Sequence, residues 1–375
     1  MASHPLFPNV RKSPYFARTE AAGATAYMAY NHMYMPMDYG RAPGVDYASL
    51  TTGVTLWDVG AERSVELWGR DALALADQLV TRDLRSLPTG QCRYGLVCDE
   101  AGLVICDPVI LRVAEDRVWL SHGNVDLLLW AKAIAVGSGL DVAVADAGVA
   151  PLQLQGPRSR EVLRALVGDL ADRLGYFRNA PAAVAGVDCI VSRTGWSGEL
   201  GFELFPLVES GCLAVWDAVA AAGEPLELLV IAPNVPRAVE HGISDTAWFH
   251  NQGLNALELA DGRLADLDAG PFIGRDALRA IRSSGPQRTT TGLVGTARRA
   301  PRVEGVWPVE HDGQRIGGTR WVTWSPALER TIAIAAVEVE LARPGTALVL
   351  VHPDGEMPVT THPLPFLAPP PEARA

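Results

Sequence analysis

Two stretches of the chain carry the same arrangement of apolar and polar positions. VELWGRDALALADQLV (65–80) reads as a short alternating strand, a glycine turn and an amphipathic helix, and LQLQGPRSREVLRALV (152–167) repeats that layout. In the second copy Val162, Leu163 and Leu166 fall on one helical face, with Ser159 placed as its N-cap. The sequel to each copy is also alike. LVICDPVILRV (103–113) and VWLSH (118–122) read as a hairpin, after which Asn124 is placed to cap a helix burying Leu127, Leu128, Ala131, Ile134 and Ala135. VDCIVSRTG and LGFELFP read as strands and lead into a helix through Leu213, Trp216 and Val219 that ends at Gly223. The pattern therefore predicts an α+β fold with two ferredoxin-like units, 1–150 with an N-terminal extension and 151–284.

Beyond residue 285 the periodicity changes. GLVGTARRAPRVEGVWPVEHDGQRIGGTRWVTWSP, IAIAAVEVE and ALVLVHPDGEMPVTTHPLPF are short alternating runs broken by DG, GG, SP and PG, which predicts a C-terminal antiparallel β-barrel or jelly roll over 285–366. The Pro-rich end LAPPPEARA (367–375) reads as a disordered tail.

Composition narrows the classes without naming a chemistry. No 18-residue apolar run is present and the first residues lack a signal-peptide core, so neither secretion nor a membrane span is expected, and the cytoplasm is the default location. The five cysteines form no CxxC pair, which points to buried thiols and away from a metal site or disulfide framework. A net charge of -11 offers no basic face for nucleic acid. Nothing in the sequence indicates the oligomeric state.

Two carboxylates stand out. Asp107 lies among apolar residues on a predicted strand directly before Pro108, either as a desolvated, poised acid or base, or as a carboxylate satisfied by backbone N–H groups in a bulge. Glu203 lies in SRTGWSGELGFELF (192–205), where alternation turns it and Phe205 to the face opposite Phe202 and Leu204. A glutamate beside an aromatic on one face can hold a flat heterocycle by accepting two hydrogen bonds from an amino-pyrimidinone edge; an exposed strand carboxylate is the alternative. Glu199 reads as a loop residue.

GLVICDPVILR, QGPRS, SRTGWSGELGFEL, PFIGRDALRAI, DGQRIGGTRWVTWSP, PGTALVLV and HPLPF occur in the order found in the glycine-cleavage T-protein (aminomethyltransferase) superfamily, which the chain resembles over nearly its whole length. Within it, SPYFARTEAAGATAYMAYNHMYMP (13–36), GVTLWDVGAERSVELWG (53–69) and RDLRSLPTGQCRYG (82–95) look most like the dimethylsulfoniopropionate (DMSP) demethylases. The resemblance implies three domains around a central channel for tetrahydrofolate or 5-methyltetrahydrofolate. It also implies a cytoplasmic methyltransferase or demethylase that moves a methyl group between N5 and a small methylated compound. Asp107 is the implied pterin-side carboxylate with a catalytic role, Tyr94 lines the pocket and Glu203 holds the pterin edge. Trp196, Phe205, Glu199, Ser121 and His122 complete the expected cofactor-binding set, His122 remaining open between pocket edge and loop.

Departures from the family pattern bear on the substrate. APNVPRAVEHG (232–242) has Asn234 and Ala238 where the T-protein carries arginines, so no lipoyl carrier protein is expected as a partner and aminomethyl transfer becomes the alternative reading. Phe205 replaces a tyrosine used by the demethylases. LADLDAGPFIGRDAL (264–278) lacks the cysteine of KGCYxGQE, which counts against a non-enzymatic folate-binding protein of iron–sulfur maintenance. Tyr30, Asn31, His32 and Met33, and Trp248, Phe249 and His250 in the divergent stretch 243–262, are the candidates for substrate contact.

Overall fold

A computed structural model describes residues 7–42, 44–244, 253–259, 262–296, 305–352 and 355–374. Its first sheet runs in the order Ala143–Asp146, Arg63–Trp68, Arg117–His122, Val109–Ala114, Cys92–Tyr94, with the helices Ala72–Leu79 and Leu127–Ser138 in its connections. The first and third strands of the repeat are thus central, as in a ferredoxin-like unit. The second sheet follows the same plan with Val187–Ser192, Gly201–Pro206 and Leu152–Gln155 adjacent, and the helices Ser159–Val167 and Cys212–Gly223. Thr55–Asp58, from well before residue 150, is inserted between Leu152–Gln155 and Leu229–Val230.

Alternation divides each sheet into two faces. Val65, Leu67, Val118 and Leu120 pack under the helices of the first sheet, and Leu152, Leu154, Phe202 and Leu204 under those of the second. Their neighbours in sequence point the other way. Cys92, Leu111, Trp119, Val149, Ile190 and Phe205 form a cluster joining the two sheets, with the Trp119 and Phe205 rings 5.9 Å apart. Burying an aromatic such as Phe205 contributes roughly 1.5–3 kcal/mol. Backbone bonds from Cys92 N to Phe177 O and from Asn179 N to Gly90 O, both 2.8 Å, tie the sheet edges together. The expected barrel is closed: Arg288–Gly295, Arg330–Glu338, Gln314–Ser325, Trp307–His311, Ala347–His352 and Gly355–His362 follow one another around it.

Several local expectations are corrected. Asp107 is not within a strand: Val104–Cys106 pairs with Val97–Cys98, Val109–Ala114 pairs with Arg117–His122, and the carboxylate occupies the break beside Pro108, which has no N–H for a ladder. Asn124 does not cap Leu127–Ser138, because its Oδ1 accepts from Asn31 N at 2.8 Å. Ser159 is inside its helix and donates to Leu200 O at 3.2 Å. Leu213 is exposed, and Gly223 leads into a short 3-10 turn where a Cβ would meet Leu228 at 2.4 Å. The tail is docked, with Leu367 N donating to Glu240 O at 2.9 Å and Ala373 buried in the helix Pro371–Arg374. All five cysteines are buried free thiols, as expected.

Candidate functional site

The alternation that sends Phe202 and Leu204 into the helix-side core turns Glu203 toward the first sheet. Glu203 is only 6% exposed, which removes the exposed-carboxylate alternative. Its cross-strand neighbours are Gln153 and Ser192. Gln153 Nε2 donates to Glu203 Oε1 at 2.7 Å, and the Thr194 hydroxyl, itself hydrogen-bonded to Ser192, donates to Oε2. Burial raises the pKa of Glu203, and the donors from Thr194, Gln153 and Ser192 offset part of that rise. Gln153 is 1% exposed, yet its Oε1 has no hydrogen-bond partner among the described residues. An acceptor left so costs about 1–3 kcal/mol, a cost a bound donor would remove.

Across the cleft, Tyr94 Oη donates to Asp107 Oδ2 at 2.9 Å, both side chains being half-buried. Glu62 links them to the second sheet. It sits in the turn between Thr55–Asp58 and Arg63–Trp68, where the chain crosses from one sheet to the other. Its pKa is raised well above the usual carboxylate value, first by burial and then by the negative charges of Glu203 and Asp107. Glu62 nevertheless retains some solvent contact, as a side chain deep in a cleft can. Ser64, on the inter-sheet face with Glu66, adds a buried hydroxyl without a partner among the described residues. Sequence reasoning missed Glu62, Ser64 and Gln153; the one available signal was Gln153, a polar residue between Leu152 and Leu154 on a predicted strand.

With this geometry in hand, comparison with known proteins is decisive for the family. Residues 15–234 match the GCVT N-terminal domain, and residues 288–367 match the glycine cleavage T-protein C-terminal barrel domain. The chain belongs to the glycine-cleavage T-protein family. It is 33% identical over 357 residues to the dimethylsulfoniopropionate demethylase of Ruegeria pomeroyi, covering 95% of this chain and 97% of that protein. It is 32% identical over 335 residues to an aminomethyltransferase of Moorella thermoacetica, covering 88% and 90%. The crystal structure of the glycine cleavage system aminomethyltransferase T from Bartonella henselae superposes with a TM-score of 0.82 at 20% identity over 96% of this chain and 99% of that one, establishing the shared fold.

Other residues singled out from the T-protein resemblance are placed in distinct surroundings. Trp196, in the irregular segment 193–200, is half-buried, packs against the cluster containing Trp57, and lies 5.8 Å from the Trp321 ring of the barrel. Glu199 is ion-paired with Arg237 at 2.5 Å, and Arg237 also holds Glu240 at 2.8 Å. Phe205 is fully buried against Trp119. Ser121 shares the inter-sheet face of Trp119, whereas His122 is on the opposite face, paired across strands with Arg63. Burial pushes the His122 imidazole down to about 4, and its Nε2 has no partner among the described residues.

The hairpin candidates divide similarly. Asn31 and His32 form its turn with φ of 48° and 60°, between Tyr30 and Met33. The Asn31 amide is engaged, donating to Ala61 O and Gly123 O at 3.0 Å and accepting from Val125 N at 3.2 Å, so it braces the turn that carries Glu62. His32 is exposed, and Tyr30 and Met33 are half-buried. Asn234 caps Val235–Glu240 by accepting from Arg237 N at 3.0 Å, and Ala238 is fully buried. Trp248, Phe249 and His250 lie outside the described residues.

The T-protein family and its DMSP demethylase members use tetrahydrofolate as one-carbon carrier or acceptor. The residues present fit such a group. Glu203 offers acceptors, Gln153 Oε1 needs a donor, and Tyr94 adds an aromatic side chain beside Asp107. Among the described residues no helix is long and apolar enough to cross a membrane.

Proposed function

We propose that this chain is a tetrahydrofolate-dependent demethylase that takes a methyl group from a small methylated onium compound, of the DMSP-like sulfonium class, onto N5 of tetrahydrofolate. The observation that carries this reading is the convergence of Glu203, Asp107 and Glu62: the charges acting on Glu62 are both negative, an environment suited to a cationic methyl donor. The similarity to a named DMSP demethylase over 95% of the chain supports it further.

Bound tetrahydrofolate would supply N5 as the methyl acceptor. The chain's share is positioning for an in-line displacement: Glu203 and its donors orient the ring, while the carboxylates hold the positive charge opposite. Asp107, oriented by Tyr94, would take the proton that N5 gives up on methylation, the carbon–sulfur electron pair leaving with a neutral thioether. No acid is required for that leaving group. Asn234 and Ala238 support a reaction without a lipoyl carrier protein.

The test is a mass-spectrometric screen of methylated sulfonium, betaine and aryl-ether compounds with tetrahydrofolate, following 5-methyltetrahydrofolate. Formation from a sulfonium is expected. Methylene-tetrahydrofolate and ammonia made at a useful rate from aminomethyl-loaded carrier protein, with no methyl transfer from any onium compound, would overturn the proposal.

A further inference from the structure

We propose that Gln153 is a second reader of the folate ring, its side-chain oxygen accepting an N–H from the same amino-pyrimidinone edge that Glu203 holds. This rests on the tetrahydrofolate reading above and adds a specificity-determining residue to it.

Leu152 and Leu154 enter the helix-side core, so Gln153 lies on the opposite face of the strand, the face of Glu203, between two cross-strand neighbours, Glu203 and Trp57. Its amide has one chemically sensible orientation. With Nε2 donated to Glu203 Oε1 at 2.7 Å, both groups are satisfied; reversed, two oxygens would face each other. Oε1 is therefore held away from Glu203, buried and without a donor among the described residues.

The donor count on the ligand matches that vacancy. An amino-pyrimidinone edge presents a ring N–H and an exocyclic amine with two hydrogens. A carboxylate has about four acceptor positions. Gln153 occupies one on Oε1, while Thr194, with Ser192 farther off at 3.5 Å, lies on Oε2, so Glu203 can take at most two of the edge's three hydrogens. The second amine hydrogen then needs another acceptor, and Gln153 Oε1 is an unused one beside it.

The experiment measures anaerobic binding of tetrahydrofolate, and of its 2-desamino analogue, to the full chain and to Gln153→Met, which keeps the length of the side chain without its polar atoms. Gln153→Leu provides a second apolar replacement, and thermal melting confirms that the variants compared are folded. The expected result is roughly tenfold weaker binding of tetrahydrofolate by either variant, as for loss of one buried hydrogen bond, with a loss of less than about threefold for the analogue. Equal losses for both ligands would overturn the proposal and leave Gln153 only a brace for Glu203; unchanged binding of tetrahydrofolate would overturn it outright. Failure of the wild-type chain to bind tetrahydrofolate would instead overturn the proposed function.

Discussion

The Tyr94 hydroxyl donates to Asp107 Oδ2 at 2.9 Å, from a strand end onto a carboxylate lying in the gap between two strands. The contact fixes one carboxylate oxygen. Asp107→Asn retains an acceptor for Tyr94 and removes the charge. Stability should stay within about 1 kcal/mol while turnover falls roughly a hundredfold, the lower range for acid–base assistance. Tyr94→Phe should cost turnover less, about tenfold, because it frees the carboxylate without neutralising it. Turnover and urea unfolding on the same preparations check both; full turnover in Asp107→Asn would make Asp107 structural.

Arg237 is the cation of a buried network. It pairs with Glu199 and Glu240, while the hydroxyls of Tyr47 and Ser325 donate to Glu240 at 2.8 and 2.5 Å. The segment 193–200, two helices and the barrel thus meet at one charge. Arg237→Met removes that charge and strands two carboxylates, with an expected loss of roughly 3–5 kcal/mol in urea unfolding at pH 7. The loss should shrink in mild acid as Glu199, whose pKa burial raises, takes up a proton. A change below about 1 kcal/mol would show that the network does not hold these parts together.

Asp58 gives a pH signature. Burial raises its pKa from 3.8 to about 6, although Ser13 Oγ and Gly60 N, at 2.5 and 2.9 Å, donate to it and pull in the other direction. A carboxyl with a raised folded-state pKa contributes stability that is fully present below its unfolded value and lost as pH rises through the folded one. The window is thus pH 3.8 to about 6, and the difference across it is about 3 kcal/mol. Asp58→Asn can keep both contacts without titrating. Its stability relative to wild type should increase across that window in urea unfolding, and a flat difference would exclude the assignment.

The elements legible in the sequence were those whose evidence is local. The strand–helix copies at 65–80 and 152–167 and the barrel announced themselves by periodicity, and Glu203 by its place opposite Phe202 and Leu204. Partner choice was not local: nothing in TLWD says that Thr55–Asp58 inserts between Leu152–Gln155 and Leu229–Val230. Glu62 became a candidate only when folding brought the charges of Asp107 and Glu203 near it, and Gln153 when its amide nitrogen was donated to Glu203. The Pro-rich end looked disordered because composition cannot show that Arg193 Nη2 donates to Glu372 O at 2.8 Å.

Gly195 and Gly201 are required by space, and both for the same reason. A Cβ at Gly201 would lie 2.2 Å from Gln155 Oε1, and one at Gly195 would lie 2.3 Å from Gln155 Nε2. Gln155 cannot swing aside freely: it is fully buried, accepts from Ser197 Oγ at 2.6 Å and donates to Thr194 O at 3.4 Å. The side chain thereby braces the segment that carries Thr194, the donor to Glu203, and Trp196. Gly201→Ala should cost roughly 1–3 kcal/mol, the usual range for overpacking, and weaken tetrahydrofolate binding by displacing that segment. Shortening the obstacle separates the two causes. In Gly201→Ala combined with Gln155→Ala the clash is gone, so the pair should lose less stability than the sum of the single losses, while the unbraced segment keeps ligand affinity low. Urea unfolding and tetrahydrofolate titration on the four proteins of the cycle check this, and strictly additive stability losses would show that Gln155 is not what excludes a side chain at Gly201.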